Sequence, residues 1–271
     1  MILKYLQIEW LKLKNYKTFI RLALLYFLLL LLILSSVKLL LSWMTSMGAE
    51  FQGISPDIIP FYNFPDVWQN LTYLASYLKF FLAFIVIISV TNEYSYRTIR
   101  QNIIDGMSPT EFLIAKQTMI FAFSLFNMLV IWLSGTLMGL FYGSGFSFSL
   151  YMMDMEFLLA HFLELITFLN LAMLISVLMK KAGFAIIGLC FYAIFLEPAV
   201  VGILNYKFDD HWLIGLFPIH AINNLIEIPF HRYVFMEIQD FVKVSSALIA
   251  IAWLIISIGL NYILIAKRDI N

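Results

Sequence analysis

The chain has 271 residues, of which 62% are hydrophobic and 13% are charged. Because soluble domains carry about 25% charged residues, this composition excludes an ordinary soluble protein. Several uncharged runs approach the ~20 residues that a helix needs to cross a bilayer. The 17 basic and 17 acidic residues cancel, so no overall positive field suggests a nucleic-acid partner. The composition therefore predicts a polytopic membrane protein.

The N-terminal segment MILKYLQIEWLKLKNYK, residues 1–17, predicts a short helix in the membrane interface. Five of its apolar side chains fall within about a third of the circumference of a helix; they are Ile2, Leu3, Leu6, Trp10 and Leu13. Lys4, Lys12 and Lys14 lie away from that face, where lysines can meet anionic lipid. Because the segment is rich in charge, we expect that it is not a cleavable signal sequence.

Six apolar runs predict six transmembrane helices in an all-α fold that forms a single transmembrane domain over 1–271. The runs are 19–41, 71–91, 112–141, 155–179, 182–204 and 244–266. Basic residues cluster on one side of these runs; they are Lys4, Lys12, Lys14, Lys17, Arg21, Arg97, Arg100, Lys116, Lys180, Lys181, Lys267 and Arg268. The connections at 48–70 and 142–154 contain no Lys or Arg. The positive-inside rule then predicts that both termini are cytoplasmic.

The connection between the fifth and sixth spans, residues 205–243, is long and partly apolar. Its stretch HWLIGLFPIHAINNLIEIPF has too few apolar residues to span a membrane and too many for a solvated loop. We expect a partly re-entrant external segment of short helices, broken near Pro218 and Pro229. A folded external cap of amphipathic helices is the alternative.

The longest polar interruption in the first two-thirds of the chain joins the second and third spans. In EYSYRTIRQNIIDGMSPTEFLIAK, residues 93–116, apolar side chains recur at helical spacing; they are Tyr96, Ile99, Ile103 and Met107. Gly106 can end this helix in the left-handed conformation. Ser108, Pro109 and Glu111 form a capping-box signature that starts the third span. Because a plain connection needs only a few residues, the amphipathic helix over 92–107 is predicted to be a docking element.

The chain resembles the permease subunits of type-2 ABC (ATP-binding cassette) transporters over essentially its whole length. The resemblance is carried by EWLKLK at 9–14 in the interfacial helix, the six spans, residues 93–116 and the partly apolar segment before the last span. It implies that 92–107 is a cytoplasmic coupling helix that fits a groove on a separate ATPase subunit. The residues implied in this coupling are Glu93, Tyr96, Arg97, Ile99, Arg100, Ile103, Asp105 and Ser108.

The sequence contains no Gly-Lys pair and hence no P-loop that could hold a nucleotide. We therefore expect a chain that is not itself an enzyme and holds no cofactor, with ATP and Mg²⁺ bound by the partner ATPase. The resemblance also implies a second permease copy or homologue, contact with lipid and a place in the bacterial inner membrane. Gly135, Gly139 and Gly143 recur every four residues, a spacing that lets helices approach closely, either within the chain or between permeases.

Polar residues inside the spans predict a transport path; they are Asn127, His161, Glu164, Asn170 and Glu197. An unpaired ionisable residue in a membrane costs several kcal/mol, so each such residue raises a functional hypothesis. His161 and Glu164 share one face of the fourth span and can bind a cation or relay a proton, or simply satisfy each other. Lys38 and Lys79 are expected to extend their side chains toward the outer interface and to act as anchors there.

No metal site is predicted. Cys190 is the only cysteine and lies in an apolar run, as expected for a small core residue. The histidines of the external segment, His211, His220 and His231, with Asp209 and Asp210, match no known metal-site spacing.

The leading functional hypothesis is the membrane-spanning permease of an ABC exporter. A non-transporting subunit of the same architecture, which passes ATP-driven motion to an envelope machine, is one alternative. An intramembrane enzyme that uses His161, Glu164 and Glu197 is the other. An aromatic-rich, weakly charged interior favours lipidic, peptide or drug-like cargo over a strongly charged ion.

Overall fold

The computed structural model describes residues 2–50, 53, 55–98, 101, 104, 106–208, 212–233 and 239–267. Within these ranges every regular element is a helix. The α-helices are α1 (Ile2–Lys14), α2 (Lys17–Ser46), α3 (Val67–Ser76), α4 (Lys79–Ser95), α5 (Pro109–Tyr142), α6 (Phe148–Met152), α7 (Glu156–Met179), α8 (Ala182–Cys190), α9 (Glu197–Phe208), α10 (Pro218–Asn223) and α11 (Val244–Lys267).

Five stretches of the described chain are long and apolar enough to cross a membrane, and a bent pair adds a sixth. The five are α2, α5, α6 with α7, α8 with α9, and α11; the pair is α3 with α4, bent by 45°. The fold is therefore that of a polytopic helical membrane protein. We call the end of the bundle with α1 and the α4–α5 connection the basic end. The opposite end, with the α2–α3 and α9–α11 connections, is the far end.

Helix α7 forms the centre of the bundle. It packs against α11, α4, α5 and α3, and side chains such as Phe168, Leu169 and Met173 are fully buried. A helix that is apolar all round can bury itself among neighbours on every side, whereas α2 and α11 leave large apolar side chains exposed. Residues carried by α7 are thus placed to meet partners from several helices at once.

The second predicted span is a broken helix. It begins at Val67, four residues before the predicted start at 71, and breaks at Tyr77 and Leu78 before α4 continues to Ser95. Trp68 is fully buried, and its indole Nε1 donates to the Tyr151 carbonyl oxygen at 2.9 Å. This hydrogen bond ties α3 to α6, and α3 also packs against α5 and α7, while α4 continues at an angle of 45°.

Two of the three spaced glycines of α5 admit bulky rings from the same chain. A methyl group on Gly135 would lie 2.8 Å from Cζ3 of Trp68, and one on Gly139 would overlap the Phe64 ring. Gly143 instead lies at the end of α5, beside the Tyr62 carbonyl. The close approach at Gly135 and Gly139 is therefore to α3 and the segment before it.

The fifth span changes helix type ahead of its proline. A π-helical turn, Phe191–Leu196, separates α8 from α9, which starts with Glu197 and Pro198. Proline lacks a backbone N–H and its ring clashes with the carbonyl four residues earlier, so a wider turn relieves the conflict. The fifth span therefore contains a π-bulge ahead of Pro198, a feature that often occurs at functional sites.

The segment before the last span folds into short helices that pack on the bundle. They are the 3₁₀ turn Trp212–Leu216, α10 and the 3₁₀ turn Pro229–Tyr233. Pro218 and Pro229 start helices, because proline suits the first helical position. Ile219, Ile222 and Leu225 are buried, and α10 contacts α7 and α11, so this segment forms part of the bundle's far end.

Candidate functional site

A buried cluster of two lysines and two glutamates lies at the basic end. Lys116 of α5 donates to Glu9 Oε2 of α1 at 2.6 Å and to Glu93 Oε1 of α4 at 3.3 Å. Lys12 of α1 donates to the same Glu93 oxygen at 2.7 Å and lies 3.5 Å from Glu9 Oε1. The charges cancel, so burial is tolerated. We call Glu9, Lys12, Glu93 and Lys116 the four-charge cluster; it joins α1, α4 and α5.

The cations of the four-charge cluster differ in burial. The Lys116 side chain is 1% exposed and that of Lys12 is 34% exposed. Lys116 also donates to Ser89 Oγ at 3.1 Å and lies over the Phe112 ring at 5.6 Å. Partial burial by itself would lower the pKa of Lys12, but Glu93 and Glu9 raise it above its ordinary value. Lys12 therefore stays charged at neutral pH.

Glu93 was predicted to lie at the start of the docking segment. In the structure its side chain instead faces into the bundle. It lies within α4, is 4% exposed and carries the hydrogen bonds of the four-charge cluster. Its Oε2 also accepts from the Thr98 hydroxyl. The helical path is interrupted only after Ser95, at Arg97, whose φ of 56° is in the left-handed region. Arginine is unusual there, which explains why the sequence pattern concealed the break.

The rest of the predicted docking segment lies on the surface. Tyr96 and Ile104 are 68% and 76% exposed, Arg97 is exposed, and Thr98, Gln101 and Ile104 are helical. The predicted residues Ile99, Arg100, Ile103 and Asp105 lie outside the described residues. The structure thus brings exposed apolar and cationic side chains together at the basic end.

The predicted stop and restart after the docking segment are both present. Gly106 has a φ of 95°. Ser108 Oγ accepts from the Glu111 backbone N–H at 3.2 Å, and Glu111 Oε2 accepts from the Ser108 N–H at 2.8 Å. This reciprocal capping box confirms that α5 starts independently at Pro109. Ser108 is therefore a capping residue that fixes where the third span begins.

A chain of buried polar side chains crosses the middle of the bundle. Asn127 Nδ2 of α5 donates to the Tyr26 hydroxyl of α2, and Asn127 Oδ1 lies 2.8 Å from His161 Nε2 of α7. Because the Asn127 nitrogen is a donor, its oxygen accepts from His161 Nε2. The other ring nitrogen, Nδ1, faces Glu164 Oε2 at 3.4 Å. Three of the predicted path residues, Asn127, His161 and Glu164, therefore form one connected series.

Lys79 completes this series at the far end. Its ammonium donates to Glu164 Oε1 and to Asn223 Oδ1, both at 2.7 Å, and lies 5.3 Å from the centre of the Phe168 ring. Lys79 is 6% exposed, so the expectation that it reaches the outer interface as a surface anchor is wrong. Lys38 instead donates to the Asp57 carbonyl oxygen in the α2–α3 connection. An internal counterion outcompetes the interface for Lys79 because Glu164 needs a partner as well.

The Lys79–Glu164 pair lies against a cavity of about 730 Å³ at the far end. The residues that line it come from α3, α4, α7, the π-helical turn and the segment around α10; they are Tyr73, Ser76, Tyr77, Lys79, Phe80, Glu164, Ala193, Ile194, Ile219, Asn223, Asn224, Ile226, Glu227, Ile228 and Gln239. The break between α3 and α4 and the π-bulge both border this space. Two of the unusual backbone features of the fold therefore border one site.

The other two predicted path residues bond elsewhere. Asn170 accepts from Gln117 Nε2 at 2.6 Å, and its backbone carbonyl accepts from Asn261, which joins α5, α7 and α11. Glu197 accepts from the His220 backbone N–H at 2.6 Å and so ties the fifth span to α10. Asn170 and Glu197 are buried, and each links neighbouring helices through these hydrogen bonds.

Among the described residues no group of three or more His, Cys, Asp or Glu side chains has a metal-binding arrangement. Asp209, Asp210 and His211 lie outside the described residues, as does the side chain of His231. Cys190 is only partly buried, beside the π-helical turn.

The main residues that the sequence reasoning missed are the partners in the two charged sites. Lys79 is 16 residues from the end of α4 and Glu164 is 15 residues from the end of α7, which places both about 23 Å from the basic end. Opposite charges at one depth are a signal for pairing. Lys116 and Glu93 carry a weaker signal, because Lys116 is about 10 Å from the start of α5 and Glu93 about 3 Å from the end of α4. Asn223 carries no such signal, because its depth depends on how the α9–α11 segment folds back.

No protein-family model matches the chain, and no curated protein matches it.

Proposed function

We propose that the chain is the membrane-spanning permease subunit of an ABC exporter, which moves substrate with ATP hydrolysed by a separate ATPase subunit. The observation that carries the proposal is the α4–α5 connection, where exposed Tyr96, Arg97 and Ile104 adjoin a buried charge anchor. In this proposal the basic end faces the cytoplasm of a bacterial cell, and the far end faces outward. Two permeases, identical or related, would stand above two ATPases.

The exposed surface of the connection supports a protein partner. Tyr96 and Ile104 expose large apolar areas on a segment that is too polar to enter lipid. Aromatic and arginine side chains are enriched where proteins bind one another, and this segment combines Tyr96 with Arg97. A groove on an ATPase that accepts the two apolar side chains and offers a carboxylate to Arg97 fits this chemistry.

The anchoring of the connection supports a mechanical role. At its start, Glu93 binds Lys116 and Lys12, so the end of α4 is tied to α5 and α1. At its end, the capping box at Ser108 makes α5 begin as a rigid unit. A displacement of the connection would therefore move three helices together, as an ATP-driven change between inward-facing and outward-facing states requires.

The test is to express the full chain with its neighbouring genes, purify it in non-ionic detergent and identify what co-purifies. We expect a nucleotide-binding subunit with wild type. Arg97→Glu and Ile104→Ala should each reduce its recovery about tenfold, because central interface residues each carry about 1.4 kcal/mol or more. The matched controls are Lys207→Glu and Ile58→Ala at the far end, which change an exposed cation and an exposed isoleucine. Both should leave the recovery of the ATPase unchanged.

Two results would overturn the proposal. One is that no nucleotide-binding subunit co-purifies with wild type. The other is that Arg97→Glu and Ile104→Ala recover the ATPase as well as Lys207→Glu and Ile58→Ala do, with all four variants equally folded.

A further inference from the structure

We infer that the far-end cavity is a binding site for an amphiphile with an acidic head, a carboxylate or a phosphodiester, and an aliphatic chain. Its volume of about 730 Å³ falls within the range of about 300–1,000 Å³ that small-molecule sites occupy. Lys79 lies about 24 Å along α4 from Ser95, so the cavity is at the depth of the far leaflet. The site contains a buried charge pair, which distinguishes it from an ordinary gap between helices.

The two sides of the cavity differ in chemistry. Phe80, Ile194, Ile219 and Ile226 give one side an apolar wall, which suits an alkyl chain. Lys79, Glu164, Asn223 and Asn224 give the other side a charged and amide-rich wall, which suits a polar head. A ligand that satisfies both walls must be amphiphilic.

Four acceptor oxygens on the polar side are already engaged, and the second Glu164 oxygen, Oε2, faces His161 Nδ1 at 3.4 Å. Glu164 Oε1 and Asn223 Oδ1 both accept from Lys79. Gln239 Oε1 accepts from Gln69 Nε2 and from the Glu227 backbone N–H. Glu227 Oε1 accepts from Lys243 at 2.6 Å. A cationic head that binds at these four oxygens would therefore have to displace existing bonds.

Donor atoms on the same side remain available. An ammonium group has three donors, and Lys79 gives one to Glu164 and one to Asn223. The amide nitrogens of Asn223 and Asn224 donate no hydrogen bond within the part of the chain that the structure describes. Charge-assisted hydrogen bonds to an anion are roughly twice as strong as neutral ones. The cavity is thus prepared for a ligand that supplies acceptors and negative charge.

Entry from the side is consistent with the exposed residues at the rim. Tyr77, Ile194 and Ile228 line the cavity and are themselves 63%, 51% and 46% exposed. They come from the α3–α4 break, the π-helical turn and the segment after α10. An amphiphile in the far leaflet can therefore slide its chain along Ile194 while its head reaches Lys79. That this ligand is the exported cargo rests on the proposed function, whereas the binding site itself does not.

The experiment measures binding to the purified full chain in non-ionic detergent, with no ATPase present. A fluorescent long-chain fatty acid is the probe, and an alcohol and an amine with the same chain compete with it. We expect the unlabelled acid to compete about tenfold more tightly than the alcohol, the effect of one charge-assisted hydrogen bond, and more tightly than the amine. Phosphatidylglycerol in the competition separates the two sources of acidic head: displacement by this lipid assigns a phosphodiester, and no displacement assigns a free carboxylate.

Variants connect the preference to the named atoms. Removing only one partner of the Lys79–Glu164 pair risks misfolding, so the main variant is Lys79→Gln with Glu164→Gln, which keeps size and removes both charges. This double variant should bind acid and alcohol equally, with alcohol affinity unchanged. Asn223→Ala should weaken acid binding several-fold. Lys38→Gln changes a far-end lysine outside the cavity, and its preference for acid over alcohol should equal that of wild type.

The inference is wrong if the alcohol or the amine competes as well as the acid against wild type, or if the double variant keeps the preference for acid. These outcomes are independent of ATPase co-purification. Failure here leaves the exporter proposal intact, and failure of co-purification leaves the amphiphile site intact.

Discussion

The ammonium nitrogen of Lys79 lies 2.7 Å from Oε1 of Glu164, with both side chains buried between α4 and α7. The pair connects the far-end cavity to the series His161, Asn127 and Tyr26 in the middle of the bundle. A second pairing of buried charges, around Lys116, lies at the opposite end of α4. Helix α4 thus carries a buried ion pair at each of its ends.

Removing one member of the far-end pair should cost far more than removing both. Glu164→Leu leaves a buried uncompensated ammonium, and we expect a loss of about 3–5 kcal/mol in the free energy of unfolding. Lys79→Met combined with Glu164→Leu should recover most of that loss. Thermal unfolding in detergent of wild type, Glu164→Leu, Lys79→Met and the double variant gives the interaction energy between the two side chains. Single variants that unfold at the wild-type temperature would contradict a buried, paired Lys79.

Lys116 should contribute more to stability than Lys12. Lys116→Met leaves Glu9 and Glu93 buried side by side with only one partly exposed cation, so a loss of about 3 kcal/mol or more is expected. Lys12→Met leaves the Lys116 bonds in place and should cost less. Thermal unfolding ranks the two, and limited proteolysis of α1 should be faster in Lys116→Met. Equal effects of the two substitutions would count against the four-charge cluster as an anchor.

The contribution of Lys12 should be constant through neutral pH. Its pKa is raised in the folded state by Glu93 and Glu9, against the opposing effect of burial. A raised lysine pKa adds stability that is fully present below the ordinary value of 10.5 and is lost as the pH rises through the folded value. The difference in unfolding temperature between wild type and Lys12→Met should therefore not change between about pH 6 and pH 9. A difference that disappears near neutral pH would refute this assignment.

Gly139→Ala should destabilise the chain because the new methyl group would overlap the Phe64 ring. Overpacking of this kind costs about 1–3 kcal/mol. Gly259→Ala in α11 is the matched control, since among the described residues no heavy atom beyond its own helical turn lies within 4 Å of the position a methyl would take. There alanine should be neutral, or stabilising by up to about 1 kcal/mol, through its helix propensity. Thermal unfolding measures the stability of the two variants. If Gly139→Ala is as stable as Gly259→Ala, the close packing of α5 on Phe64 is contradicted.

The orientation of the bundle can be read from cysteine labelling. In a Cys190→Ser background, Ile104→Cys places a thiol at the basic end and Tyr206→Cys places one at the far end, and both positions are highly exposed. A membrane-impermeant maleimide added to intact cells should label the cysteine at 206 alone. Both should react once the cells are opened. Labelling of the cysteine at 104 in intact cells would reverse the predicted topology.

Local chemistry made several features predictable. Apolar runs of membrane-crossing length identify the helices because lipid cannot satisfy a bare backbone. The capping box at Ser108 and Glu111 was readable because its two hydrogen bonds join residues three apart. Pro218 and Pro229 begin short helices because proline constrains its own backbone.

The role of Glu93 was not predictable in the same way. It stands at the start of a polar stretch in the sequence, and only the fold shows that its carboxylate is buried against Lys116 and Lys12. The break at Arg97 was concealed as well, because neither a glycine nor a proline marks it.

The sequence by itself determined the helices, their apolar faces and the signals that start and stop them, since these depend on neighbours a few residues apart. Only the tertiary structure decided that Lys79 meets Glu164 and Asn223, residues 85 and 144 positions away. Such partners are chosen when helices pack, because a buried charge takes whichever counterion the assembled bundle brings to the same depth. This pairing forms the polar wall of the far-end cavity, and no local sequence pattern predicts it.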